Sequence, residues 1–379
     1  MTQKPRHLAR IIVGQDCILR AGLQPAPGAR VQAVPGGLPT RRRLPTCPTT
    51  PVKLSGIGLA LLLLSAFFPV ELGLMAQPSP AEPAAEVRIK SSKDGAQQPA
   101  LLYVPPGAAA TDKGSRVPLL VFLHSWSNDY KTTGGVAEAL GECRRRGWAF
   151  LSPDFRGVND HPEACASDLA VEDVLDSVNY VKQQARVDEK RIYLLGSSGG
   201  GHMALVMAER APKVWAAVSV WVPISDLAAW YRFSKATGSQ YFPMMEKCCG
   251  GPPGTPETDA QYRQRSSLPF LSNAKGIRIA IDSGIRDGHA GAAVPLSQSL
   301  LAFNALATAN GYPGKALSAE DIEFMTREAR VPDHLAGETE EEEGRRQKIV
   351  FRRTAGPVRL TLFDGAHSVD VLTGIRWFE

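Results

Sequence analysis

The chain has 379 residues, 44% hydrophobic and 21% charged, which is ordinary globular usage with enough length for one large core or two modest ones. Its formal charge of +5 belongs to the beginning: residues 1–53 hold nine Lys or Arg and one acid, Asp16, while from Gln77 onward 34 basic residues face 36 acidic ones, a formal charge of −2. The basic balance is therefore no argument for nucleic-acid binding, and the lack of any fixed-period repeat excludes solenoids and propellers.

Residues 1–52 are rich in Pro and Arg with no apolar periodicity. They read either as untranslated, with the true start near Val52, or as a disordered extension. Residues 53–76 read as a signal peptide. Lys53 precedes the apolar run GIGLALLLLSAFFP (residues 56–69), which is too short for a membrane span, and Ala76 suits position −1 of a cleavage site. This predicts a secreted or periplasmic protein, or a membrane-anchored one if the run stays uncleaved. Residues 77–86 (QPSPAEPAAE) are a flexible linker, and 87–379 form one domain.

Within that domain short extended runs occur at Val87–Lys90 and Ala100–Val104. Pro118–His124 (PLLVFLH) is a buried strand, Thr133–Arg146 has helical spacing, and Trp148–Ser152 is a strand. Asp168–Ala185 is an amphipathic helix with Val171, Val174, Leu175, Val178 and Val181 on one face and Asp168 as its cap. Then follow the strand Arg191–Leu195, the helix Gly199–Arg210, strands Val214–Trp221 and Ile277–Asp282, helical spacing over Val294–Asn310, the strand Val358–Phe363 and a last helix. Continuous apolar strands alternating with helices predict a mainly parallel central sheet covered on both faces, with the functional site at the strands' carboxyl ends. Two insertions interrupt the pattern. Residues 225–270 hold Trp230, Tyr231, Phe233, Tyr241, Phe242, Met244 and Met245, which suits a lid over an apolar pocket or a satellite core of the insertion itself. Residues 312–350 are more polar. The runs Arg144–Arg146 and Glu340–Glu343 read as solvated surface.

After the RIYLL strand comes Gly196-Ser197-Ser198-Gly199-Gly200, a G-x-S-x-G between a strand and a helix. In that context it predicts a nucleophile elbow: a strained turn exposing the Ser198 hydroxyl, with the Gly199 N–H placed for an oxyanion. The competing phosphate-loop reading lacks the Lys it requires. A serine nucleophile needs a base, and among the histidines beyond it His367, in a Gly turn after the last strand, has the right place. His202 is too close, His289 sits two residues from the acid candidate, and His334 lies in the polar insertion. Asp287 is the preferred acid; Asp282 and Asp226 are the alternatives. Ser125 or Trp126, in the loop after PLLVFLH, supplies the second oxyanion N–H, with His124 ordering that loop. Arg156 reads as a buried structural cation. No metal, nucleotide or flavin site is indicated, so no cofactor is expected. Four cysteines follow the leader; a bridge from Cys165 to Cys248 or Cys249 is one reading and free buried thiols the other.

The pieces LLVFLHSWS, PDFRG, YLLGSSGGGHMAL, the Asp287 loop leading to Val294-Pro295, and DGAH resemble the catalytic domain of the prolyl oligopeptidase family (peptidase S9) of the α/β-hydrolase superfamily. The resemblance runs from Leu119 to His367 and implies an α/β-hydrolase fold with a lid insertion and a Ser198, Asp287, His367 triad. Two features depart from the family. The stretch Gln77–Leu119 is too short for the β-propeller of the large oligopeptidases, and the run Gly288–Ala293 before Val-Pro is longer than the family's. The resemblance thus implies serine hydrolysis of peptide or ester bonds through an acyl-enzyme, with a small peptide or ester as substrate. The alternatives are an esterase on carbohydrate or carboxylic esters, and a catalytically dead binding protein. Oligomeric state is not legible.

Overall fold

The computed structural model describes residues 83–379 apart from Ala290 and Ala292. The extension 1–52, the signal segment 53–76, most of the linker, and Cys17 and Cys47 lie outside the described residues. In chain order the elements are β1 (Ala85–Lys90), β2 (Gln97–Tyr103), β3 (Val117–Leu123), α1 (Val136–Arg146), β4 (Ala149–Pro153), α2 (Asp168–Gln184), β5 (Val187–Ser197), α3 (Gly199–Arg210) and β6 (Ala217–Trp221). After them come α4 (Leu227–Ala236), α5 (Tyr241–Cys249), α6 (Pro256–Gln264), β7 (Arg278–Gly284), α7 (Ser297–Ala309), α8 (Ala319–Glu328), β8 (Ile349–Ala355), β9 (Val358–Phe363) and α9 (Val371–Arg376).

The strands form one nine-stranded sheet in the order β1-β2-β4-β3-β5-β6-β7-β9-β8. The six central strands from β4 to β9 run parallel, and antiparallel pairs close both edges. The runs Leu119–Leu123, Ala149–Leu151 and Ile192–Leu195 are apolar on both sides because each side is covered. Leu119, Val121, Leu123, Ile192 and Leu194 point to the core built with α2, α3 and α7; Leu120, Phe122, Tyr193 and Leu195 point to the one built with α1 and α9. This period-2 division fixes the register, since a one-residue slip would exchange the faces of a whole strand.

The expected elements are present, with local corrections. Ser167, not Asp168, caps α2: its side chain accepts the Ala170 N–H, while Asp168 sits in the first turn and pairs with Arg210. The helix expected from Val294 starts at Ser297, after the Pro295 that breaks it. The insertion 312–350 contains α8 and leads into β8, an edge strand whose Arg352-Arg353 disguised the alternation. The acidic run is not simply solvated surface, because Glu342 pairs with Arg345 and Arg352. Arg156 is the buried cation expected, held by Asp94 and Asp173.

Insertion 225–270 folds as α4, α5 and α6 around a core of its own: Trp230, Tyr231, Met245, Cys248, Cys249 and Tyr262, continuous with Trp126, Cys165 and Val294. Among the described residues no helix is long and apolar enough to cross a membrane.

Candidate active site

The turn between β5 and α3 carries Ser198 at φ 56° and ψ −120°. A β-carbon-bearing residue pays of order 1–3 kcal/mol for such a conformation, so the surroundings must enforce it. They do so from two sides. The Ser198 N–H donates to Trp221 O at the end of β6 (2.9 Å), and the chain doubles back so tightly that a Cβ at Gly196 would collide with the carbonyl of Gly200. Ser198 is left half-buried at the amino end of α3, where the free N–H groups of the first turn and the helix dipole favour negative charge.

Gly199 opens that helix. A Cβ there would strike the backbone nitrogen of Trp126, so only glycine lets the two segments approach. The Trp126 N–H has no acceptor among the described residues, whereas the N–H of Ser125 is engaged by Thr133 Oγ1 at 3.0 Å. Neighbours fix the peptide that joins them. Ser125 O lies 3.0 Å from His124 Nδ1 and accepts the Asn128 N–H, and in a trans peptide the Trp126 N–H then points the opposite way. One residue on, Trp126 O accepts both the backbone N–H of Asn159 (3.0 Å) and its Nδ2–H (3.3 Å). His124 is fully buried, stacked on Phe155, with Nε2 2.6 Å from Asp154 O. It orders this loop, as its sequence position suggested. The supporting roles of Thr133 and Asn159 carry no sequence signal, because both act across loops brought together only by the sheet.

Asp287 and His367 meet at the carboxyl ends of β7 and β9. His367 Nδ1 lies 3.0 and 2.9 Å from the two Asp287 oxygens. The loops are stitched together by Ile285 N–H to Phe363 O and Arg286 N–H to Gly365 O, both 2.9 Å, and a Cβ at Gly284 would collide with Ala366 O. Asp287 is buried and also accepts the Gly288 N–H. Burial pushes its carboxyl above the ordinary aspartate range, and the His367 hydrogen bond acts in the opposite direction. His367 Nε2 is buried with no partner among the described residues.

The other candidates have different occupations. Asp282 is ion-paired with Arg345 (2.7 Å), and Asp226 caps α4 by accepting the Ala229 N–H. His202 is buried with Nε2 2.7 Å from Arg265 O, and burial pushes its imidazole down to about 4. His289 faces Thr326 O and His334 pairs with Asp321. Among the described residues no group of three or more His, Cys, Asp or Glu could hold a metal ion.

A parallel sheet of this strand order, with a strained serine between a central strand and the helix behind it, defines the α/β-hydrolase fold. The model of the prolyl oligopeptidase family (peptidase S9) matches residues 143–327, a stretch that takes in Ser198 and Asp287 and ends before His367. Among solved structures, a puromycin hydrolase aligns over 78% of this chain and 38% of its own, at 14% identity and a TM-score of 0.52. A Mycobacterium tuberculosis puromycin-hydrolyzing peptidase aligns over 68% and 40%, at 20% identity and 0.49. The Pyrococcus horikoshii acylaminoacyl peptidase aligns over 60% and 35%, at 18% identity and 0.45. The chain thus spans between a third and two fifths of the length of these proteins. No curated protein matches it.

Proposed function

We propose that this protein hydrolyses small peptide substrates through Ser198, with His367 as general base and Asp287 as its orienting acid. The observation that carries the reading is the bidentate Asp287–His367 Nδ1 contact, which leaves Nε2 as the free basic nitrogen at the same end of the sheet as the strained serine. Nδ1–H donates to the carboxylate, fixing the tautomer in which Nε2 accepts the Ser198 proton. Ser198 Oγ attacks the scissile carbonyl, and the N–H groups of Gly199 and Trp126 receive the oxyanion. Of the two loop donors read from sequence, Trp126 is the better, since the Ser125 N–H is already bonded. Collapse of the tetrahedral adduct, with Nε2–H protonating the leaving amine, gives the acyl-enzyme, and water activated by the same nitrogen releases the acid.

Turnover of short peptide anilides and acyl esters by wild type and Ser198→Ala tests this. Peptide turnover falling to background in the variant is the expected result. Ester turnover alone would make the protein an esterase on the same machinery, and equal inactivity of both chains would leave a binding protein. We further propose that the mature chain starts at Gln77 after export directed by the apolar run 56–69. Amino-terminal sequencing of the native protein is expected to read QPSPA, and a start before Val52 would overturn it.

A further inference from the structure

Cys165 and Cys248 are brought together from separate segments. Cys165 lies in the loop between β4 and α2, and Cys248 in the last turn of α5. Both are free thiols and almost completely buried, at 0% and 2% exposure. Their side chains touch, and Cys248 also contacts the backbone of His161 in the same loop. Cys249, the next residue on α5, is buried in the same cluster, which also holds Tyr262.

The loop is built to hold Cys165 in place. Cys165 and Ala166 both sit at φ 52°, two successive left-handed residues without glycine. The Cys165 N–H donates to Asn159 Oδ1 at 2.6 Å. The Arg265 guanidinium, from the foot of the insertion, donates to Pro162 O (2.9 Å), Ala164 O (2.8 Å) and Cys165 O (3.1 Å). This strained backbone turns the Cys165 thiol toward α5. The same Asn159 donates twice to Trp126 O, so the sulfur pair is linked through one side chain to the peptide offered to the oxyanion.

We propose that Cys165 and Cys248 form a disulfide that fastens the helical insertion to the loop supporting Trp126. The oxidant is a small-molecule or protein disulfide. The Cys248 thiolate attacks one of its sulfurs, forming a mixed disulfide and expelling the first thiolate. The Cys165 thiolate then attacks Cys248 Sγ and expels the second. Two electrons pass to the donor disulfide and two protons to water. Both thiols are shielded once α5 has docked, so the bond closes while the insertion is settling. The assignment is independent of which bond Ser198 cleaves.

The test refolds the full chain, first reduced and denatured, in a buffer of reduced and oxidised glutathione. Remaining thiols are alkylated and the protein is digested with trypsin without reduction. The expected product joins peptide 157–182 to peptide 248–263, with fragmentation placing the bond on Cys248. In Cys249→Ser the joined peptide persists. Reducing the refolded wild type lowers its unfolding midpoint by about 5–10 °C, as expected for closing a long loop in a domain of this size. Alkylated Cys165 and Cys248 in protein that has regained cooperative unfolding would overturn the proposal, and so would a bond located on Cys249. The wild-type map decides even if a variant fails to fold.

Discussion

Asp287 stands between two opposing effects. Burial disfavours its charge, and His367 with the Gly288 N–H favours it; burial is the larger, so the folded-state pKa lies above the unfolded one. For an acid raised in this way, stability is fully present below the unfolded pKa and is lost as pH rises through the folded one. The ionised carboxylate therefore costs stability at neutral pH while serving the imidazole. Asp287→Asn is expected to lower kcat about 10⁴-fold by releasing the wrong tautomer. It is also expected to raise the unfolding midpoint at pH 7 relative to wild type, an advantage that shrinks as the pH falls toward 4. Calorimetry at the two pH values beside anilide kinetics reads both effects. The choice of acid shows what sequence could and could not say. Asp282 stands near the end of a strand and Asp287 and Asp226 follow strands, and only the structure shows that Asp282 is paired with Arg345 and Asp226 caps a helix.

At the scale of elements, α3 joins chemistry to stability. Its first residue, Gly199, supplies the amide beside Ser198, and three residues further on His202 is buried against Arg265 O with its imidazole pushed down to about 4. Unfolding lets this ring take up a proton below the unfolded value near 6.5. Stability is therefore expected to fall as pH drops from 6.5 to 4, by about 3 kcal/mol from this group. Denaturant midpoints across that window should fall less steeply in His202→Gln, which keeps an N–H donor for Arg265 O. The helix itself was legible to its ends from Gly199 to Arg210, because a glycine turn starts it and its apolar residues run without interruption. The edge strand β8 was not legible. Its inward Arg352 is satisfied by Glu342 and Thr361, partners that only the folded chain supplies.

Over the whole molecule, the stretch between α8 and β8 ties the ends of the sheet to α9. Arg345 lies over the rings of Trp221 and Phe363 at the ends of β6 and β9, and its pair with Asp282 on β7 is shielded, each side chain being 2% exposed. Gly344 O accepts from Arg376 of α9, and the Arg346 N–H donates to Asp370, the cap of that helix. Removing one member of a shielded pair strands the other charge, which costs about 3–5 kcal/mol. Arg345→Met is expected to lose that much in urea unfolding, and Arg345→Met with Asp282→Asn to recover a large part of it. Equal losses in the single and double variants would show that packing over Trp221, not charge, sets the cost.

The sequence by itself determined the layered α/β class, the strained serine turn between strand and helix, and the place of the histidine after the last strand. Each of these is written locally, in apolar strands, in a glycine-flanked serine and in a Gly-Ala-His turn. Only the tertiary structure decided which aspartate faces His367, which amide beside Gly199 is free, and that the aromatic insertion fills its own core. Those outcomes depend on partners 80 residues apart for Asp287 and His367, or on loops from different strands, and sequence spacing carries no information about such pairs. The acidic run reads as surface for the same reason: its charges look solvated until Arg345 and Arg352 fold against them.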